Sequence, residues 1–321
     1  MLDRSSKVFV AGHRGLVGSA ISRCLKEREF TQILTRSRTQ LDLTDQAATY
    51  QFFETEKPKT VLLAAAKVGG IGANEGFPAD FVEENLSIQN NVIGAAVRTG
   101  VQNLIFLGSS CIYPRDCPQP IKEQYLLDGP LEPTNRAYAV AKIAGIETCW
   151  AHNRQNGTRY IAVMPTNLYG PGDNYDLEAS HVLPALIRKV HEAKQRNSPE
   201  VSVWGTGLVW REFLYSDDLA AACLFLLDCP TEKLGPLFNN QHPPLINVGM
   251  GVELQIRELI SKIIEVMGYN GIVKWDRSRP DGTPRKLLDS SLISSFGWKA
   301  STQLDHGIRL AYDDFLSRYE S

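Results

Sequence analysis

Val8-Phe9-Val10-Ala11-Gly12-His13-Arg14-Gly15-Leu16-Val17-Gly18 opens the chain with a β-branched apolar run, a glycine turn and the start of a helical pattern. A strand that turns through glycines into a helix aims backbone N–H groups and the positive helix end at one spot, which suits a pyrophosphate. Glycine is needed wherever a Cβ would block that close approach. The spacing is G-x-x-G-x-x-G, not G-x-G-x-x-G, and by itself it fits an ordinary strand-turn-helix connection. Its place in the first β-α unit favours a dinucleotide cradle made of Gly12, His13, Arg14, Gly15, Leu16, Val17 and Gly18.

Outward from this unit, short apolar runs alternate with longer helical patterns as far as residue 165. The expected strands are Lys7–Ala11, Gln32–Leu34, Thr60–Ala65, Asn103–Leu107 and Tyr160–Met164, and the expected helices are Gly15–Arg28, Thr44–Glu54, Ala79–Thr99 and Asn135–Asn153. Such alternation defines an α/β fold, a Rossmann-like doubly wound parallel sheet. In the third helix Phe81, Ile88, Val92 and Ala95 share a face, while Asp80, Glu84 and Arg98 lie elsewhere, so it faces a core or a partner. Beyond Pro165 the alternation loosens and Pro and Gly become denser. The expected division is a cofactor domain over 1–170 and a smaller C-terminal α/β substrate lobe over 171–321, with 213–230 returning to the first domain.

At 321 residues and 43% hydrophobic, the chain can build a large core. Net charge is −2, with both signs interspersed, which gives no footprint for nucleic acid or an anionic membrane. No apolar run reaches the roughly 18 residues of a membrane span, and the polar start lacks a signal-peptide core, so the expected location is cytoplasmic. The six cysteines contain no C-x-x-C pair and the six histidines no H-x-x-H, so no metal site is expected.

Nucleotide choice is read from the end of the second strand, where NAD enzymes place an acid for the ribose 2′-hydroxyl and NADP enzymes an arginine for the 2′-phosphate. This chain has Leu34-Thr35-Arg36-Ser37-Arg38, with no acid before Asp42. Arg38 and Arg14 could clamp a phosphate bidentately, which points to NADP(H). Leu41-Asp42-Leu43 then borders the adenine.

The strand Asn103–Leu107 runs into Gly108-Ser109-Ser110-Cys111-Ile112-Tyr113-Pro114, and carboxyl ends of strands line the crevice of such a sheet. A serine there could hydrogen-bond a substrate carbonyl, though the spacing does not choose between Ser109 and Ser110. Tyr138-Ala-Val-Ala-Lys142 places a phenol and an ammonium at i and i+4 on one helical face. The cation is then expected to supply part of the shift that lowers the phenol pKa toward the working pH.

Together these residues resemble the extended short-chain dehydrogenase/reductases and, more narrowly, the GDP-L-fucose synthase family. The resemblance runs in order along the chain: Gly12–Gly15, Ala64-Ala65-Ala66-Lys67-Val68-Gly69-Gly70-Ile71, Gly108–Pro114, Tyr138–Lys142 with Ile143-Ala144-Gly145, Pro165-Thr166-Asn167-Leu168-Tyr169-Gly170-Pro171, Ser180-His181-Val182, Arg211-Glu212-Phe213 and Asp281-Gly282-Thr283-Pro284-Arg285-Lys286. It implies conversion of GDP-4-keto-6-deoxy-D-mannose to GDP-L-fucose, by epimerisation at carbons 3 and 5 and NADPH-dependent reduction at carbon 4. It implies Ser109, Tyr138 and Lys142 as the reductase triad and Cys111 and His181 as the epimerisation pair, their division of labour open. The C–H bonds at both carbons are acidified by the neighbouring ketone, and Cys and His bracket neutral pH as acid and base.

The implied cofactor contacts extend to Thr39, Gln40, Leu41, Asp42, Leu43, Leu107, Gly108, Ser110, Pro165, Thr166, Asn167, Leu168 and His181. The implied substrate contacts are Lys189, Trp204, Arg211 and Asp281. The family can carry Arg where Lys189 stands, and Lys286 matches a basic position that fits a site residue and a solvated lysine equally well. A homodimer built on two long helices per subunit is also implied. Two other readings compete: a related epimerase or dehydratase that keeps its cofactor bound, and a non-catalytic dinucleotide sensor. Dehydratases need Glu beside the catalytic Ser where this chain has Cys111, and sensors tend to lose the Tyr.

Overall fold

A computed structural model of the chain describes residues 2–319 apart from 178–179, 239–240 and 280. In chain order the first half contains β1 (Val8–Ala11), α1 (Leu16–Glu27), β2 (Ile33–Leu34), α2 (Gln46–Glu56), β3 (Thr60–Leu63), α3 (Ile71–Gly76), α4 (Pro78–Arg98), β4 (Asn103–Leu107), α5 (Arg136–Asn156), β5 (Arg159–Pro165) and β6 (Asn167–Tyr169). The second half contains α6 (Val182–Gln195), β7 (Glu200–Trp204), β8 (Trp210–Tyr215), α7 (Ser216–Asp228), β9 (Leu245–Val248), β10 (Glu253–Gln255), α8 (Ile256–Met267), β11 (Ile272–Asp276), β12 (Arg285–Lys286), α9 (Ser291–Ser295) and α10 (Leu304–Tyr319).

Strand β1 is buried on both faces, and alternation divides its side chains. Val8 and Val10 pack with α1 and α7, whereas Phe9 and Ala11 pack in a second core with α4 and α5. Helices on both faces make the doubly wound layer. Its six strands run β2-β1-β3-β4-β5-β9, all pairs parallel. The order reverses at β1, so the crevice opens at the carboxyl ends of the central strands. Segments of the second half join this layer too: β9 pairs with β5, and Ile293, Phe296 and Trp298 share the core that holds α7.

A smaller four-stranded sheet has β8 between β10 and β12, with β6 also paired to β8, and β7 pairs with β11. Helices α6, α8 and α10 cover a third core around Tyr169, Ile187, Leu259 and Phe315. Among the described residues no helix is long and apolar enough to cross a membrane.

Candidate active site

The glycine turn has the shape expected of an anion cradle. Gly12 sits at φ +85°, and a Cβ there would lie 2.7 Å from the Ala65 backbone nitrogen, so the turn can pack against the end of β3 only without a side chain. Gly15 caps α1 with no side-chain hydrogen bond, and a Cβ there would make ordinary contact with the Gly12 carbonyl oxygen at 3.6 Å. The first N–H groups of α1 therefore have no side chain of Gly15 competing for them, as a helix N-terminus that takes an anion requires. His13 hydrogen-bonds the Arg36 backbone and ties this turn to the end of β2; burial first, and then Arg14, lowers its pKa.

Past β2 the two arginines separate. Arg36 pairs with Glu56 at 2.7 Å and lies over the Phe52 ring, turned toward α2. Arg38 stands exposed at the tip of a turn that Ser37 and Gln40 fix, the Ser37 N–H donating to Gln40 Oε1 at 2.9 Å. Glu84 of α4 holds Arg38 at 2.8 Å, and Asp42 approaches it at 3.7 Å. Arg14 is exposed on the glycine turn, Leu41 is in the core, and Asp42 accepts from the Thr44 N–H and hydroxyl. Arg38 is thus the arginine of this segment that stays exposed, held on its turn by Glu84 and Asp42.

At the end of β4, Met164 of β5 fills the space a Cβ on Gly108 would need. Ser109 caps the short turn Ser110–Ile112; its Oγ accepts from the Cys111 N–H at 3.4 Å, while Ser110 is buried. Lys142 is buried, and its ammonium donates to the Leu107 carbonyl at 2.8 Å and lies 5.7 Å from the centre of the Tyr138 ring. The phenyl edge of Phe81 steadies Tyr138 from α4, with ring centroids 6.3 Å apart.

One expectation is corrected here. The Tyr138 pKa is raised well above its ordinary value, by burial first and the Cys111 thiol second. Lys142 does not outweigh these two in the resting site: burial lowers its own pKa to about 8, and its ammonium, still largely present at neutral pH, donates to the Leu107 carbonyl. Tyr138 therefore keeps its proton at neutral pH.

Cys111 is buried, and its thiol lies within electrostatic reach of Tyr138, Lys142 and Lys286. Burial pushes its pKa up, and Lys286 opposes that more than any other group. Burial lowers the pKa of Lys286, which also feels Arg211. His181, the N-cap of α6, is exposed; partial desolvation by the neighbouring protein first, and then Lys286, lower its pKa and favour the neutral ring. Lys286 on β12, next to Arg211 on β8, is thus the cation that acts on both Cys111 and His181, a role its sequence position left open.

On the substrate lobe, Trp204 at the end of β7 is half exposed, with Lys189 4.8 Å and Arg279 4.9 Å from its ring centre. Burial lowers the Lys189 pKa and Asp276 opposes it. Asp281 accepts from the Thr206 N–H at 2.7 Å and hydroxyl at 2.8 Å, which fixes the turn after Trp204, and it faces Arg211, whose pKa burial lowers. Lys189, Trp204, Arg211 and Asp281 are therefore brought together; Arg279, which no motif marked, joins them. Thr166 and Asn167 follow β5, and both side chains donate to the Glu212 carbonyl, at 3.2 and 2.8 Å. Among the described residues no cluster of His, Cys, Asp and Glu could hold a metal ion.

A parallel sheet with a phosphate cradle at its switch point and a Ser-Tyr-Lys group beside it defines a dinucleotide-dependent enzyme of the short-chain dehydrogenase/reductase type. Residues 8–241 match the NAD dependent epimerase/dehydratase family, and the chain belongs to that family and, within it, groups with the GDP-L-fucose synthases. It is 55% identical to GDP-L-fucose synthase 1 of Arabidopsis thaliana over 98% of this chain and 95% of that protein. It is 50% identical to GDP-L-fucose synthase of Escherichia coli (strain K12) over 98% of each. A GDP-L-fucose synthetase from Naegleria fowleri bound to NADP superposes with a TM-score of 0.88 at 28% identity, covering 100% of this chain and 97% of that one.

Proposed function

We propose that this chain is a GDP-L-fucose synthase that epimerises GDP-4-keto-6-deoxy-D-mannose at carbons 3 and 5 and reduces the ketone at carbon 4 with NADPH. The observation that carries the reading is that the Cys111 thiol lies within electrostatic reach of the Tyr138 phenol and of Lys286, and that the same Lys286 acts on His181. A plain reductase needs the phenol. The additional acid-base pair is what an epimerase requires.

The glycine cradle at Gly12–Gly18, where Gly12 and Gly18 leave no room for a side chain, and the exposed Arg38 fit NADP(H), with Leu107–Ser110, Lys142 and Pro165–Leu168 at the strand ends bordering its nicotinamide half. When bound, NADPH supplies the hydride for carbon 4. Cys111 and His181 move protons off and onto carbons 3 and 5 from opposite sides of the sugar. Tyr138 and Ser109 donate hydrogen bonds to the oxygen that becomes an enolate in the first stage, an oxyanion-hole role. Tyr138 then gives its proton to the same oxygen as carbon 4 is reduced. Lys142, fixed on the Leu107 carbonyl, holds positive charge beside the phenol as it loses its proton. Lys189, Trp204, Arg211 and Asp281 bind the GDP moiety through an aromatic face and cations, and Arg279 adds one more.

Arg38→Ala is expected to raise KM for NADPH by about ten- to a hundredfold, the worth of one charge-assisted phosphate contact, and to leave NADH use unchanged. Steady-state kinetics with both nucleotides checks this; an equal effect on the two would show that Arg38 does not read the 2′-phosphate.

The Lys142 pKa of about 8 sets a pH dependence with a definite sign. Below that value the ammonium is present, and above it the cation is lost, so kcat/KM for NADPH, which reports the free enzyme, should fall as pH rises through about 8. A profile flat to pH 10 would rule out a required ammonium with this pKa. The reading as a whole is tested by NADPH oxidation in the presence of the ketosugar, with the product's isotope pattern as its sharpest form.

A further inference from the structure

Arg211 and Glu212 are neighbours on β8, and strand alternation sends their side chains to opposite faces. Arg211 faces Asp281, while Glu212 is fully buried. An interior carboxylate is costly unless its oxygens are satisfied. This one collects donors from separate pieces of chain: Oε1 accepts from the Gly251 N–H at 2.6 Å and Oε2 from the Leu288 N–H at 3.1 Å. The Met250 N–H lies within bonding reach as well, and the Glu212 backbone carbonyl takes the Thr166 and Asn167 donors. Residues 249–251 follow β9, the edge strand of the cofactor sheet, and Leu288 follows Lys286 on β12.

We propose that Glu212 is a positioning residue: its carboxylate bolts the chain that follows Lys286 to the loop after β9, while its backbone carbonyl holds the Thr166–Asn167 turn, and so it keeps Lys286 within electrostatic reach of Cys111. The inference rests on the functional reading only for its kinetic consequence. Convergent N–H donors call for a group that solely accepts, which an ionised carboxylate is and an amide is not. Glu212→Gln therefore turns an NH₂ against one of these donors. Gly249→Ala gives an independent perturbation, because a Cβ there would collide with the carboxylate while leaving it in place.

The test is the pH dependence of Cys111 alkylation by iodoacetamide, followed by peptide mass spectrometry, in the parent, Glu212→Gln, Gly249→Ala and Lys286→Met. Loss of a nearby cation raises a thiol pKa, so the midpoint should move to higher pH in Glu212→Gln and Gly249→Ala, toward that of Lys286→Met. With the ketosugar and NADPH, kcat should fall by about a hundredfold in Glu212→Gln, the usual cost of misplacing a site by an ångström, with little change in KM for the GDP-sugar. Should Glu212→Gln not fold, Gly249→Ala carries the test. A parental midpoint in a folded variant overturns the proposal, even where kcat has dropped. A parent inert toward the ketosugar with a shifted variant midpoint would instead count against the functional reading and leave the bolt standing.

Discussion

Tyr138→Phe should lower NADPH oxidation by about 10³- to 10⁴-fold, because it deletes the proton donor of the reduction and one donor to the enolate oxygen together. The phenol, whose pKa burial raises further above neutrality, carries its proton in the resting site and so holds the proton that the reduction requires. Phenylalanine occupies nearly the same volume and can keep the edge-on contact with Phe81, so folding should be unaffected. The check is steady-state NADPH oxidation alongside thermal unfolding. Deuterium entry at carbons 3 and 5 should fall less than reduction, since Ser109 still faces the oxygen. A folded Tyr138→Phe protein within about tenfold of the parent rate would remove Tyr138 from the proton transfer.

Cys111→Ser should slow solvent deuterium entry at carbons 3 and 5 by about 10²- to 10⁴-fold while leaving NADPH affinity unchanged. Serine is nearly isosteric, but its hydroxyl ionises far too weakly to share a proton relay near neutral pH. The thiol is buried beside Lys286, which opposes the effect of burial on its pKa and keeps it usable. The cradle at Gly12–Gly18 and the Arg38 turn are formed by other segments and should not register the change. Proton NMR in deuterated solvent reads the exchange, and nucleotide titration reads the affinity. Unchanged exchange would exclude Cys111 from epimerisation.

The cofactor half of the molecule was legible because its signals are local. Continuous apolar runs such as Val61-Leu62-Leu63 alternating with helical periodicity leave few alternatives to a parallel sheet, and β4 begins and ends where the sequence placed it. Strand β9 was missed because Leu245–Val248 is short and pairs with β5 far away in sequence, a contact no local pattern encodes. The same applies to the site. Tyr138 and Lys142 announce themselves by helical spacing, but what the Lys142 ammonium bonds to depends on how close α5 lies to the end of β4. Lys286 stood in a two-residue strand with no periodicity, and its importance follows from pairing with Arg211 on β8. Glu212 read as one letter of a motif, and the donors that surround it come from residues 250, 251 and 288.

The central claim, that one pocket epimerises two carbons and then reduces the one between them, is tested most directly by isotope placement in the product. The purified protein is incubated with GDP-4-keto-6-deoxy-D-mannose and unlabelled NADPH in deuterated water, and the sugar is identified by NMR and mass spectrometry. The product should be GDP-L-fucose with solvent deuterium at carbons 3 and 5 and protium at carbon 4. A reduced sugar that keeps protium at carbons 3 and 5, or no consumption of NADPH, would contradict it.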